Sequence, residues 1–386
     1  MFMTMMLLAW TLLHAYVLWR AASVPAVARR VPRRVLIGAG VLLWASFFLV
    51  RLLGHDASGT AAAVLEVAVM DWMATLFLVS VALLAVDLVT GFGLLLPRLA
   101  PRLRGWGFVA GGLLALVAVV QGMRPPVVVP YEVRLPGLPA DADGTVVVAV
   151  SDLHLGNVLG PGWLAARLAQ VRAQRPDMVV LLGDVFEGHG EPGKDAAALI
   201  RGLRAPLGVW AVTGNHEYHG GRRGGVTSLD ATGLRVLHDR WAEAAPGLVV
   251  AGVDDLTSRR RSGGDGASAV LRSLAGRPPG AVILLSHTPW DAGAAAKAGA
   301  GLMLSGHTHG GQVWPFGVLE RKIYPLMGGR YEVAGTTVIV CRGTGTWGPR
   351  MRLWRPGEIL RITLRAAPSA PEPAASPAPP ASPEHR

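Results

Sequence analysis

GLMLSGHTHGGQ, residues 301–312, ends a short apolar run in two histidines one residue apart, with a glycine pair behind them. A run of this length bounded by glycine reads as a buried strand. In an extended segment residues i and i+2 project to the same side, so His307 and His309 are spaced to reach one ion. A single pair is weak ground, because one histidine is most often an ordinary polar side chain. The pattern repeats, however. TVVVAV runs into SDLHLGN (151–157), MVVLL into GDVFEG (183–188), GVWAV into TGNHEYHGG (213–221) and AVILL into SHTPWD (286–291). Five run-ends that each deliver Asp, Asn or His are hard to ascribe to turn chemistry alone, although one Asp before a turn is usually a cap or an Asx turn.

Between these runs lie Ala/Leu/Arg-rich helical stretches, GWLAARLAQVRAQ (162–174) and DAAALIRGLR (195–204). The alternation predicts an α/β domain over 145–365, and open α/β sheets build their sites at the carboxyl ends of strands. There Asp152 and His154 share the i, i+2 spacing of His307 and His309. A mixed carboxylate, imidazole and amide set suits Mn, Fe or Zn better than the all-oxygen shells of Ca or Mg. Two ions about 3.5–4 Å apart need a bridging carboxylate, and Asp184 is the natural bridge. His14, His55, His189, His238 and His385 fall outside the pattern.

Taken in order, D-x-H, G-D, G-N-H-E, H and G-H-T-H resemble the signature of the calcineurin-like metallophosphoesterases. Here they read DLH (152–154), GD (183–184), GNHE (214–217), SH (286–287) and GHTH (306–309). The flanks LSGHTHGGQVWPFG and RGTGTWGPRMRLWRPGE are similar to the branch of membrane-tethered bacterial phosphodiesterases and transmembrane proteins with a metallophosphoesterase domain. The resemblance implies a sandwich of two mixed sheets with outer helices. It implies Asp152, His154 and His309 on a first divalent metal, Asn215, His287 and His307 on a second, and Asp184 between them. His216 would stand beside the substrate as the catalytic histidine, stabilising charge or protonating the leaving oxygen. Close relatives often carry Asp where this chain has Glu187, a longer side chain of the same charge.

The first 122 residues lie outside that domain. Four stretches meet the length rule for spanning helices: about 2–19, 35–53, 70–96 and 105–121. The first lacks a basic leader and a small-residue cleavage site, so it reads as a retained helix. The segment RAASVPAVARRVPRR after the first stretch and PRLAPRLRG before the fourth are arginine-rich, whereas GHDASGTAAA carries no arginine. The positive-inside rule puts both arginine-rich segments in the cytoplasm and everything beyond residue 122 outside it, on a bacterial inner or plasma membrane. Asp71 and Asp87 fall in the third stretch, where acids are expected near an interface or paired with an arginine such as Arg51.

Residues 123–144 read as a Pro-rich linker with an edge strand, and 366–386 as an unpacked Pro/Ala/Ser tail. The net charge of +11 comes mainly from arginine, with lysine at 194, 297 and 322 alone. Much of it flanks the apolar stretches, so a nucleic-acid partner is not expected. SRRRSGG (258–264) reads as a solvated loop. Cys341 is the single cysteine, which excludes an intrachain disulfide. The sequence thus points to a membrane-anchored dinuclear phosphoesterase acting on a phosphodiester or pyrophosphate, with membrane lipids as partners and a lipid-linked substrate favoured by location. The competing class is a sensor or transporter-associated protein whose metallo-domain binds without turnover, and the intact His216 speaks against it.

Overall fold

The computed structural model describes residues 2–54, 60–187, 194–218 and 224–366. Its N-terminal part is helical: α1 (Phe2–Ser23), α2 (Pro25–Arg30), α3 (Arg33–Gly54), α4 (Thr60–Val89) and α5 (Ala100–Met123). Among the described residues three stretches, Arg33–Val50, Thr60–Val89 and Ala100–Met123, are long and apolar enough to cross a membrane. α1 packs against α3 and α4, with Trp10, Val17, Phe47, Val69, Leu76 and Leu83 buried between them.

The third helix differs from the expected 70–96. It begins at Thr60, because Glu66 is accommodated by a polar contact with Asn157, and it stops at Val89. There Thr90 turns its hydroxyl back onto the Val86 carbonyl, and Phe92 adopts φ 56 between two glycines, which no helix tolerates. Asp87, fully buried, is paired with Arg20 at 2.7 Å and Arg104 at 3.0 Å and accepts a hydrogen bond from the Tyr16 hydroxyl at 2.7 Å. The expected pairing with an arginine is thus met by Arg20 and Arg104; the side chain of Arg51, the example named from the sequence, lies outside the described residues. Asp71 accepts the Arg350 N–H at 2.7 Å.

After a short connection the chain forms β1 (Val127–Leu135), β2 (Val146–Val150), β3 (Met178–Leu182), β4 (Val209–Val212), β5 (Arg235–Val236), β6 (Arg240–Ala245), β7 (Leu248–Gly252), β8 (Ala281–Leu285), β9 (Leu302–Ser305), β10 (Gly329–Val333), β11 (Thr336–Val340) and β12 (Glu358–Ala366). Two six-stranded sheets result, in the orders β1-β12-β2-β3-β4-β5 and β10-β11-β9-β8-β7-β6. Both are mixed. β2, β3, β4 and β5 run parallel, with β12 antiparallel to β2; β7, β8, β9 and β11 run parallel, with β6 and β10 antiparallel at the edges.

Alternation explains the layering. Val147, Ala149, Val180, Leu182, Val250, Ile283 and Leu304 point between the sheets into one core. The intervening Val148, Val150, Val179 and Leu181 face the helices Pro161–Ala173 and Lys194–Arg201. On the far side Val249, Ala251, Leu284 and Met303 face the helices Gly266–Ser273 and Ala292–Lys297. Strands covered on both faces read as continuous apolar runs, which is why those five segments were legible.

β1 is the edge strand expected within 123–144: it stands at the edge of the first sheet and pairs along its length with β12. The basic stretch at 258 differs from the expected loop. It ends a short helix, Leu256–Arg261, capped by the Asp255 side chain, and its arginines pair with Asp239 and Asp291. A start that supplies its own N-cap makes a helix of what composition alone reads as loop.

Candidate metal centre

The carboxyl ends of β2, β3, β4, β8 and β9 meet at one end of the sandwich. Asp152, His154, Asp184, Asn215, His216, His287 and His309 are all buried there, and His307 is half-buried. Their shared direction does not come from the strand pleat, because β2 ends at Val150 and β9 at Ser305. Five of these residues adopt left-handed backbone instead: Asp152 (φ 54), His154 (φ 45), Asp184 (φ 49), His307 (φ 72) and His309 (φ 47). Non-glycine residues in that region carry strain and cluster at functional sites. Each i, i+2 pair is thus turned inward by two left-handed residues in a loop.

Glycines admit the close approach. A Cβ on Gly214 would stand 2.2 Å from Asp184 Oδ1, and one on Gly306 1.8 Å from Ser151 Oγ and 2.6 Å from Asp152 Oδ2.

Three donor groups overlap. The first is Asp152, His154 and His309; the second His154, Asp184 and His216; the third Asp184, His287 and His307. In the first, His309 Nε2 lies 3.3 Å from Asp152 Oδ1 and 3.2 Å from His154 Nε2. In the third, His287 Nε2 lies 3.1 Å from His307 Nδ1 and 3.2 Å from Asp184 Oδ2. The same Asp184 oxygen is 3.8 Å from His154 Nε2, so this carboxylate lies between the two ends. Asn215 Oδ1 and His309 Nδ1 are buried without a hydrogen-bond partner. A buried acceptor left unpaired costs about 1–3 kcal/mol, and imidazole nitrogens crowded onto common points leave lone pairs unused. Both observations fit divalent cations.

Protonation follows the crowding. Burial alone would raise Asp152 and Asp184, but the imidazoles beside them hold both below the usual carboxylate range. Burial works against protonating His154, yet Glu187, Asp184 and Asp152 raise it to about 9. His287 is raised well above the ordinary imidazole value by Asp184 and Asp152 against the same burial penalty. Burial and then His287 push His307 down to about 4, and burial lowers His309. Protons held here are those a dication displaces.

The surroundings fix the donor side chains. His154 Nδ1 meets Glu187 Oε2 at 2.8 Å, so the longer acid reaches the ring, in the carboxylate–histidine arrangement that orients a metal ligand. His287 Nδ1 donates to the Leu182 carbonyl at 2.7 Å, and His307 Nε2 meets the Tyr324 hydroxyl at 2.7 Å. His216 stands 4.6 Å from the His154 ring, its N–H donating to Asp184 Oδ1 at 2.8 Å and its Nδ1 3.3 Å from the Glu187 carbonyl.

Two supports escaped the sequence reading. Glu217, fully buried, accepts the N–H groups of Asp184, Val185, Phe186 and Gly214 at 2.7–3.2 Å. It locks the β3 and β4 loops together, and burial with the neighbouring Asp184 lifts its pKa to about 7. Arg352, 2% exposed, donates to the carbonyls of His309, Arg342, Gly343, Gly345 and Arg355. The signal for Glu217 was its place directly after GNH, in a run-end with no solvent to face. Arg352 offered none, since its partners are carbonyls.

The calcineurin-like phosphoesterase family model matches residues 145–311. The transmembrane protein with metallophosphoesterase domain of Danio rerio is 33% identical over 66% of this chain and 61% of its own length. Its Bos taurus counterpart is 32% identical over the same shares. The chain therefore spans about three fifths of those relatives, which are named as transmembrane proteins. An uncharacterized metallophosphoesterase of Aquifex aeolicus is 35% identical over 61% of this chain and 90% of its own. With nine tenths of that relative covered at this identity, and the family model lying over the strand ends that hold the buried donors, the chain belongs to the calcineurin-like metallophosphoesterases.

Proposed function

We propose that the chain is a membrane-anchored, two-metal phosphoesterase that hydrolyses phosphodiester or pyrophosphate bonds of a lipid-linked substrate outside the cytoplasm. Asp152, His154 and His309 would hold one divalent ion, Mn, Fe or Zn, and Asn215, His287 and His307 the other, with Asp184 shared. The observation that carries this reading is the position of Asp184, within reach of His154 on one side and His287 on the other. Ions held by these residues would supply a polarised water and neutralise charge on the phosphoryl group.

The chain's own residues do the rest. Asp184 Oδ1 fixes the His216 backbone, and Glu187 lies against the His216 ring and the His154 ring alike. His216 is thereby aimed to hold a proton for the leaving oxygen, an action worth about 10²–10⁴-fold in rate. All four long helices, α1 included, would cross the membrane. The arginines of 20–34 and 98–104 would then face the cytoplasm, with the domain on the opposite side.

Purified full-length protein given Mn, Zn or Fe should turn over bis-p-nitrophenyl phosphate faster than p-nitrophenyl phosphate, and His216→Asn should lose about 10²–10⁴-fold in kcat with two metal equivalents retained. Fully metallated protein that hydrolyses neither ester would end the proposal.

A further inference from the structure

The face of the domain that docks on the helices is apolar, and it continues past the docked area. Val313, Met351 and Leu353 are buried against Ala74, Leu78, Ala115 and Ala118 of α4 and α5. Phe316 meets Phe77 edge-on at 6.1 Å, and the Arg352 N–H donates to the Ala118 carbonyl at 2.9 Å. Beyond these contacts Trp314, Phe316, Val318, Leu319, Ile323 and Trp354 remain 41–60% exposed. Exposed apolar patches of this kind mark interaction surfaces.

Helix rise gives the depth. From Val89 to Phe77 at about 1.5 Å per residue is about 18 Å. From the exposed Arg102 to Ala118 is about 24 Å. Both fall short of the ~30 Å hydrocarbon thickness that begins at that arginine-rich end. Glu66, which accepts from the Asn157 side chain at 3.3 Å, is about 34 Å from Val89, beyond the slab. The Glu66 contact thus lies at head-group level, and the Phe77 contact on α4 and the Ala118 contact on α5 both lie below it.

Directly behind His309, starting at Gly310 and Gly311, a cavity of about 410 Å³ opens in this lobe. Its lining includes Arg321, Arg342 and Arg355 together with Trp314, Leu353 and Trp354. Arg342 is paired with Glu358. Guanidinium forks suit phosphate, and Leu353 of the lining packs against α4 and α5.

We propose that residues 313–323 and 347–355 form a lobe sunk into the outer leaflet, and that its cavity receives the head group of a phosphate-bearing lipid whose chains lie along α4 and α5. The assignment of that lipid as substrate rests on the hydrolase reading; the immersion and the head-group binding do not.

The test uses full-length protein in nanodiscs of phosphatidylglycerol and phosphatidylcholine. Nitroxide labels at Leu319→Cys and Ile323→Cys should be reached by oxygen rather than by a water-soluble nickel chelate. A label at Leu271→Cys, on the helix covering the second sheet, should behave oppositely, and the buried Cys341 stays unlabelled. If Leu319 and Ile323 labels match Leu271, the immersion is refuted. Native mass spectrometry should show preferential retention of phosphatidylglycerol, reduced about tenfold in the Arg321→Gln/Arg355→Gln double variant; equal retention refutes the head-group cavity. Neither readout needs turnover, so an inactive preparation with immersed labels would count against the hydrolase reading alone.

Discussion

Asp184 has two oxygens and at least three claims on them. Oδ1 takes the His216 N–H, and Oδ2 lies against His287 and within reach of His154. An amide offers one acceptor oxygen in place of two, so Asp184→Asn is expected to lower metal content from two equivalents to one or fewer, read by elemental mass spectrometry. Two retained equivalents would remove Asp184 from the bridge. Glu187→Gln should weaken metal binding about 10–100-fold by loosening the His154 ring, the usual cost of such a partner, with Glu187→Asp recovering part of it. Isothermal titration of metal-stripped protein measures both. At this scale the sequence was unusually open, because each donor ends an apolar run. What it hid was conformation. The i, i+2 spacing suggested strand geometry, whereas Asp152, His154, His307 and His309 reach inward through left-handed backbone, which residue identity at Asp or His does not announce.

His238, between β5 and β6, ties three elements. Its Nδ1 meets Asp254 beyond β7 at 2.7 Å, and its Nε2 meets Asp230 at the end of the helix Gly224–Asp230 at 3.1 Å. The Asp254 hydrogen bond outweighs burial and, with Asp230, raises the imidazole to about 9. A folded-state value above the unfolded 6.5 stabilises fully below pH 6.5, and that stability is lost as pH rises through about 9. The side chain is 31% exposed, so the contribution is about 1–2 kcal/mol rather than the full shift. Melting curves should therefore separate wild type from His238→Gln at pH 6 and bring them together near pH 9.5; a gap independent of pH would deny the ion pair. Legibility also changes with element type. Strands covered on both sides stood out as apolar runs, and β1 as an edge strand beside prolines, but β6 is half-exposed along RWAEAA and has no such signature. The start of α4 was missed because Glu66 looks too polar for a spanning helix until Asn157 is seen beside it.

Bundle and domain are one packed object. A Cβ on Gly122, near the end of α5, would lie 2.4 Å from the Arg350 carbonyl oxygen and 2.8 Å from Met351 Cα. Gly122→Val should force the 347–355 loop away from the helices at about 1–3 kcal/mol, seen as faster hydrogen exchange from Met351 to Leu353 in detergent-solubilised protein. Unchanged exchange would show that the contact has slack. This relation between the two halves was not available from motifs, since the apolar residues at 313–323 and 347–354 are scattered over the short helix Phe316–Glu320 and the loops around it and acquire a common face only once β9 and β12 are in place.

The joint between the halves is brief: α5 ends at Met123, β1 begins at Val127, and the connection includes Pro125 and Pro126. Proline fixes its own φ and restricts the residue before it, so the joint works as a strut rather than a leash. The ion pair would then stand at a set altitude above the bilayer midplane. Discrimination among esters would follow vertical distance from acyl anchor to phosphorus as much as chemical identity, as a depth gauge rejects parts of the wrong length.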